Sequence, residues 1–254
     1  GVAIQYARNG TLEVALDDAG VQRLESIRKI CDERGIRAEL LKNQDLFGAE
    51  PHLSESICGG LIVESHGFVG ASDLTGALRR AAGAYGVSFE TASAATRISK
   101  NGSGIRIETI GDDFVCDAVV MAAGSWSSRV EIDGVTPVPI RPVRGQLLHL
   151  GWPAPALTRV LWSPGCYLVP WSDGTVLVGA TVEEVGFDER ATVSGVRTLI
   201  DATQSVAPQV SEASFLEARV GLRPVTPDEL PVIGPSSVFP GLVYACGHFR
   251  NGIL

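Results

Sequence analysis

Three stretches of this chain combine arginine, histidine, glutamine or proline with glycine in ways that packing alone does not require. They are Pro142-Val-Arg-Gly-Gln146, then Gly221-Leu-Arg-Pro224 with Thr226-Pro-Asp228 and Pro231-Val-Ile-Gly234, and last Gly247-His-Phe-Arg-Asn-Gly252. Arg223 sits between Leu222 and Pro224 and follows Val220-Gly221, so its guanidinium is expected to point inward. A guanidinium in a partly dry pocket needs an anion, and its planar fork suits a carboxylate held through both oxygens. The competing reading is an arginine ion-paired on the surface of a strand. Gly247–Gly252 reads as a strand-to-helix turn without a Ser, Thr or Asp cap. The unpaired backbone N–H groups of such a turn carry the positive end of the helix dipole, which favours an anionic ligand over a plain helix start. Gly247 and Gly252 would let the backbone approach that ligand closely.

These residues need strands and turns to position them, and Gly 29 with Pro 14 implies many tight turns. Ala3–Ala7 and Thr11–Leu16 flank Asn9-Gly10 and are expected to form a hairpin on a type I′ turn. Asp17 or Asp18 should cap a helix that runs to about Arg34, with Val21, Leu24, Ile27, Ile30 and Cys31 on its apolar face and Gly35 past its end. A strand at Gly60–Val63 precedes a second helix from Ser72 or Asp73 to Gly86. Strands follow at Val87–Glu90, Ala94–Ser99 and Ile105–Ile110, the last two joined at Asn101-Gly102. Ala118–Gly124 is apolar without alternation, the pattern of a parallel strand buried on both faces. Trp126–Val130 could begin a short helix. Beyond Pro137 the texture is mostly strand, at Val143–Leu150, Arg159–Trp162, Cys166–Pro170, Thr175–Ala180, Phe215–Val220 and Leu242–Cys246. One helix, from about Thr192 to Val206, interrupts it.

Bulk properties exclude several function classes. The 254 residues are 45% hydrophobic and 20% charged, enough for one large or two modest domains with a real core. A net charge of -8 argues against a nucleic-acid or anionic-membrane surface. No run of 18 apolar residues is present, so no membrane span is expected. The five cysteines (31, 58, 116, 166 and 246) are scattered without a C-x-x-C pair, which suggests reduced, buried thiols in a cytosolic protein. The four histidines show no metal-ligand spacing, so no metal site is expected.

Taken with Val119-Val-Met-Ala-Ala-Gly-Ser-Trp126, the order and spacing of the three stretches resemble the D-amino-acid-oxidase-like family of FAD-dependent amine oxidases. The closing Gly247-His-Phe-Arg-Asn-Gly-Ile-Leu254 is most similar to the glycine oxidases within it, enzymes that supply iminoglycine for thiazole synthesis in some bacteria. The resemblance implies that Arg223 grips the carboxylate of a small amino acid or amine substrate. Tyr167, in Gly165-Cys-Tyr-Leu-Val-Pro170, would donate its hydroxyl to the same carboxylate, and Arg250 would lie over the pocket near the flavin. FAD would meet the backbone of Ala95, the strand end at Ala123 and Gly124, and the turn formed by His248, Phe249, Arg250, Asn251, Gly252, Ile253 and Leu254. No side chain is implied as an obligatory catalytic base. The implied reaction is hydride transfer to the flavin, hydrolysis of the imine to a keto acid and ammonia, and reoxidation by O2 to H2O2. Other readings are an amino acid or sarcosine dehydrogenase passing electrons to a quinone or partner protein, and a non-catalytic fragment of such an enzyme. The family resemblance also allows a homo-oligomer.

Two departures bear on this. Gly165 and Val182 are small where bulkier residues line the glycine oxidase pocket, which puts strict glycine preference in doubt. No G-x-G-x-x-G follows an early strand, and Asn101-Gly-Ser-Gly104 is a hairpin turn. With Gly1 in place of an initiator Met, and an apolar stop at Leu254, the chain reads as an internal segment, with the phosphate-binding unit upstream and a helix from Arg250 continuing downstream. The expected fold is α/β (α+β locally). An incomplete Rossmann-like FAD domain takes 66–135 and 231–254, and a substrate domain with a mixed or antiparallel sheet takes 1–65 and 136–230.

Overall fold

A computed structural model describes residues 3–253, apart from the side chain of Asn43. The chain opens with β1 (Tyr6–Ala7), β2 (Thr11–Ala15), α1 (Asp18–Glu33), β3 (Glu39–Leu41), α2 (Asn43–Ala49), β4 (Gly59–Val63), β5 (Phe68–Val69) and α3 (Ala71–Ala84). It continues with β6 (Ala95–Asn101), β7 (Gly104–Thr109), β8 (Phe114–Cys116), β9 (Val119–Met121), a 3-10 turn at Gly124–Arg129 and β10 (Glu131–Ile132). Then come β11 (Arg141–Gly151), β12 (Val160–Trp162), β13 (Tyr167–Pro170), β14 (Thr175–Gly179), α4 (Val193–Val206) and a 3-10 turn at Pro208–Glu212. β15 (Ser214–Val225), β16 (Val232–Pro235) and β17 (Leu242–Cys246) close it. The fold is mixed α/β with mixed and antiparallel sheets.

The chain divides into two compact units. Unit 1 comprises Gly1–Arg79, Gly145–Thr181 and Arg190–Val220, and unit 2 comprises Arg80–Arg144, Val182–Glu189 and Gly221–Leu254. The chain passes between the units at 79/80, 144/145 and 220/221, and the short segment 182–189 belongs to unit 2.

Unit 1 is built on a sheet in the order β15-β11-β14-β13-β12-β2-β4-β3. Along β2 the side chains alternate between faces. Leu12 and Val14, both fully buried, join Leu46, Leu148, Leu161, Leu168, Val178 and Leu199 in the main core. Each such side chain stabilises the fold by about 1.5–3 kcal/mol. Ala15 meets α1 on the opposite face through Leu24 and Leu61. α1 starts as expected, with the Asp17 carboxylate accepting from Gly20 N at 2.7 Å, and closes through Ile36 N donating to Cys31 O at 2.9 Å past Gly35 (φ +68°).

The N-terminal hairpin is not formed. β1 pairs with β5, whereas β2 lies between β12 (parallel) and β4 (antiparallel). Gly10 N donates to His66 O at 3.0 Å and the Asn9 amide to Thr158 O at 2.8 Å, so the Asn-Gly turn is held by distant segments. β2, with Thr11, Leu12, Val14 and Ala15 buried, gains a partner on each side at the sheet centre, which a two-stranded hairpin cannot supply.

Unit 2 carries β6–β10 and the three-stranded sheet β16-β17-β9 around a core of Ile98, Ile105, Met121, Phe239, Leu242 and Tyr244. β9 is parallel to β17, as the unalternating run predicts, but it is not buried on both faces: Val120 is 62% exposed. The expected strand at Val87–Glu90 is absent, because Val87 N instead closes α3 by donating to Ala82 O at 3.1 Å past Gly86 (φ +88°). Cys166 and Cys246 are buried, and burial pushes both thiols up toward the protonated form. Cys58 is exposed, against the expectation that all five are buried. Among the described residues no helix is long and apolar enough to cross a membrane, and no cluster of potential metal ligands occurs.

Candidate functional site

In unit 2 three of the singled-out segments meet through two hydrogen bonds, one from a side chain and one between backbones. Ser125, fully buried just past Ala123-Gly124, donates its hydroxyl to Leu222 O at 3.0 Å across 97 residues of chain. Phe249 N donates to Pro224 O at 3.0 Å. Arg223, half-buried near the end of β15, thus lies between the segment containing Ala123 and Gly124 and the one containing His248, Phe249 and Arg250. Gly124 has φ +54° and open space where a Cβ would stand. A strand end of this kind lets another group come against the backbone.

The turn after β17 is not the start of a helix within the described residues. It is closed by Asn251 N donating to His248 O at 2.8 Å, with Phe249 at φ +49° and the exposed Arg250 guanidinium 5.0 Å from the Phe249 ring centroid. An α-helix needs donors four residues on, and Arg250–Ile253 is too short to close such a turn. Asn251, Gly252 and Ile253 are exposed, and Leu254 lies outside the described residues. Gly247 (φ +74°) owes its identity to a protein contact as well, since a Cβ there would stand 2.7 Å from the Thr226 methyl. Thr226-Pro-Asp228 is a turn in its own right: the Thr226 hydroxyl donates to Leu230 O at 2.7 Å and Asp228 accepts from Leu230 N at 3.2 Å. The Leu230 N–H first, and then the Thr226 hydroxyl, hold the Asp228 carboxyl below its ordinary value. Ala95 begins β6 opposite Thr109, exposed and on a different sheet from β9 and β17.

Tyr167 belongs to unit 1. Its partners across the sheet are Trp162 on one side and Gly179 on the other. The Tyr167 ring lies over Gly179, where a Cβ would stand 2.4 Å from both Cζ and the hydroxyl oxygen. Trp162, 44% exposed, packs against it with ring centroids 5.0 Å apart. Gly165 and Val182, the two small residues flagged in the sequence, are both exposed.

Pro142–Gln146 turns out to be explained by packing after all. Arg144, 3% exposed, sits between Glu183 at 2.6 Å and Asp188 at 3.1 Å, so its charge is neutralised within unit 2. In unit 1 the fully buried Gln146 side chain accepts from Thr192 N at 2.8 Å and donates to the Thr192 hydroxyl at 3.0 Å, pinning the start of α4. Gly195 is obligatory there, since a Cβ would overlap the Gln146 amide. Segment 183–189 was not among the expected site residues, although its paired acids Glu183-Glu184 were a signal. Glu184 pairs with Arg141 at 2.9 Å, and the Phe187 ring lies 3.6 Å from the Arg129 guanidinium and 5.9 Å from Trp126. Trp162 and Gly179, the neighbours of Tyr167, carry no local signal at all.

A family model described as "DAO: FAD dependent oxidoreductase" matches residues 1–254. The chain is 31% identical over 255 residues to the glycine oxidase of Geobacillus kaustophilus, covering 96% of this chain and 68% of that protein. It is 30% identical to hydrogen cyanide synthase subunit HcnC of Pseudomonas aeruginosa, covering 100% of this chain and 62% of that one. The crystal structure of the Geobacillus glycine oxidase superposes with a TM-score of 0.94 at 30% identity, over 100% of this chain and 69% of that one.

Proposed function

We propose a function from one premise: the chain belongs to the DAO family of FAD-dependent oxidoreductases. On that premise it carries out the oxidative deamination of glycine or another small amino acid or amine, as part of a cytoplasmic enzyme with O2 as acceptor. The observation that carries this reading is the meeting of the Ala123–Ser125, Leu222–Pro224 and His248–Asn251 segments through Ser125 Oγ–Leu222 O and Phe249 N–Pro224 O. The residues present fit a flavin, because Gly124 leaves its backbone open beside the strand end of β9 and Arg250 places a cation on the turn after β17.

In this reading the Arg223 guanidinium holds the substrate carboxylate and the Tyr167 hydroxyl donates to it, fixing the α-carbon for loss of a hydride. Arg250 adds positive charge beside the pocket. Ala95, Ala123, Gly124 and the turn from His248 to Leu254 hold the cofactor, and the unit that carries them is the cofactor domain. When bound, FAD would supply the hydride acceptor, with O2 as the terminal oxidant and H2O2 as its product. No side chain is assigned as base, so the ammonium proton leaves to water. The α-carbon then gives up its hydride, the nitrogen becomes an imine, and water converts that imine to a keto acid and ammonia.

The test uses the full-length protein loaded with FAD. With glycine under air, H2O2 and keto acid should form in equal amounts. Reduction of an added quinone without peroxide would replace the oxidase by a dehydrogenase. A flavin left oxidised by every small amino acid and amine would overturn the reading altogether.

A further inference from the structure

A cavity of about 530 Å³ in unit 1 has no role in the reading above. Strand register ties it to Tyr167. Directly paired residues project from the same face of a sheet, as do residues two apart on one strand. Tyr167 pairs with Gly179 and Gly179 with Leu147, and the next row along that face is Val169, Leu177 and His149. Beyond it stands Trp171, whose N–H donates to Thr175 O at 2.8 Å and whose ring centroid is 6.5 Å from that of His149. His149 and Trp171 both line the cavity. The Tyr167 hydroxyl lies over Gly179, where a Cβ would also stand 2.5 Å from a Leu147 methyl, so it is turned toward the β14–β11 side. On that side half-buried Leu147, Leu177 and Val169 form an aliphatic track from the hydroxyl to the cavity.

The chemistry of the walls selects the occupant. Arg219 is balanced by Glu217, which accepts from its Nε at 2.7 Å, and it also donates to His149 Nδ1 at 3.1 Å. His149 Nε2 donates to Thr175 Oγ1 at 2.8 Å, because that hydroxyl is itself committed to Asp173 at 2.7 Å. Asp73 and Asp173 differ from this engaged set. Among the described residues they accept hydrogen bonds, Asp73 from Gln5 N at 3.1 Å and Asp173 from Thr175, but form no ion pair. The Thr175 hydroxyl first, and then its N–H, hold the Asp173 carboxyl below its ordinary value and so ionised at neutral pH. Trp171 and Ile4 add an aromatic and an aliphatic wall. Two carboxylates without a counter-ion beside an indole face attract an ammonium group and repel a further carboxylate. We infer that this cavity is a subsite for a distal ammonium group of the substrate, reached along the Leu147, Leu177 and Val169 track, so that the preferred substrates carry an ω-aminoalkyl chain. The inference rests on the assignment of Tyr167 to the substrate carboxylate. One row along the strands is roughly 7 Å, which an extended chain of about four to five methylenes spans. The chain can be attached at nitrogen or at the α-carbon, and both present the same ammonium group to the cavity.

The test measures kcat/KM on the FAD-loaded, full-length enzyme for pairs in which an ammonium group replaces a methyl group. N-(ω-aminobutyl)glycine is set against N-pentylglycine, and D-lysine against D-aminoheptanoate, with D-aminoadipate as the anionic counterpart and glycine as reference. The cationic member should be preferred about tenfold at low salt. That preference should shrink toward one as ionic strength rises. Asp73→Asn and Asp173→Asn, each keeping an oxygen for its hydrogen bonds, should cut it several-fold, and Asp173→Lys should turn it toward D-aminoadipate. Each preference is a ratio within one protein, so a change in folded fraction cancels. A wild-type ratio near one, with glycine still oxidised, overturns the subsite alone. So does a preference that survives high salt and both asparagine variants. No turnover of glycine or of any other substrate overturns the oxidase reading, and the subsite falls with it.

Discussion

At the scale of single residues, the proposed function can be separated from folding at two positions. Arg223 is half-buried on a strand tied to both neighbouring segments by backbone contacts that its side chain does not make. Replacing it by alanine should leave the fold intact and raise KM for glycine by about two to three orders of magnitude, the loss expected for a buried charge pair worth ~2–5 kcal/mol. Steady-state kinetics together with far-UV circular dichroism check this, and an unchanged KM in a folded protein would sink the role of Arg223. Gly179 is the second position. A methyl group there would stand 2.4 Å from the Tyr167 hydroxyl and 2.5 Å from a Leu147 methyl, so Gly179→Ala must tilt the tyrosine. The expected outcome is a KM defect resembling that of Tyr167→Phe, with no further loss when the two are combined. Independent, additive effects would show that Tyr167 does not act from this position.

At the scale of elements, the singled-out motifs divide into scaffold and surface. The Gln146 amide holds the first turn of α4 through Thr192, and leaving those buried partners unsatisfied costs about 1–3 kcal/mol. Gln146→Leu should therefore lower the midpoint of urea unfolding while glycine KM stays within a few-fold. A KM rise without loss of stability would give Gln146 a role beyond pinning the helix. The Thr226–Leu230 turn makes a pH prediction. The Asp228 carboxyl is held below its ordinary value, so its contribution is present above the unfolded-state pKa and is lost as pH falls through the lower, folded-state value. Wild type should lose stability below about pH 4 more steeply than Asp228→Asn. Parallel acid limbs in the two proteins would remove Asp228 from the account.

At the scale of the whole molecule, two units with separate cores should not melt as one two-state system. A cofactor held by unit 2 stabilises that unit by mass action, by about 2.7 kcal/mol at a hundredfold excess over Kd. Adding FAD to the full-length protein should raise hydrogen-exchange protection at residues 119–125 and 247–251. Protection gained only in the sheet of unit 1 would assign the cofactor to the wrong unit.

The sequence by itself determined what depends on neighbours along the chain. The extent of α1 followed from the Asp17 cap and the apolar spacing up to Gly35, and β17 and α4 were legible from Leu242–Cys246 and from Thr192 with its run to Val206. The family was legible too, because its motifs are short and contiguous. Tertiary structure alone decided what depends on partners far away in sequence. Pairing energy comes from whichever strand arrives, so β2 left its expected hairpin for β12 and β4. A buried charge needs an opposite charge that no local rule names, so Arg144 and Gln146 became scaffold only once Glu183, Asp188 and Thr192 stood beside them. The row from Leu61 to Gly179 through Tyr167 is likewise a product of register across five strands, and it exists only when the sheet is assembled.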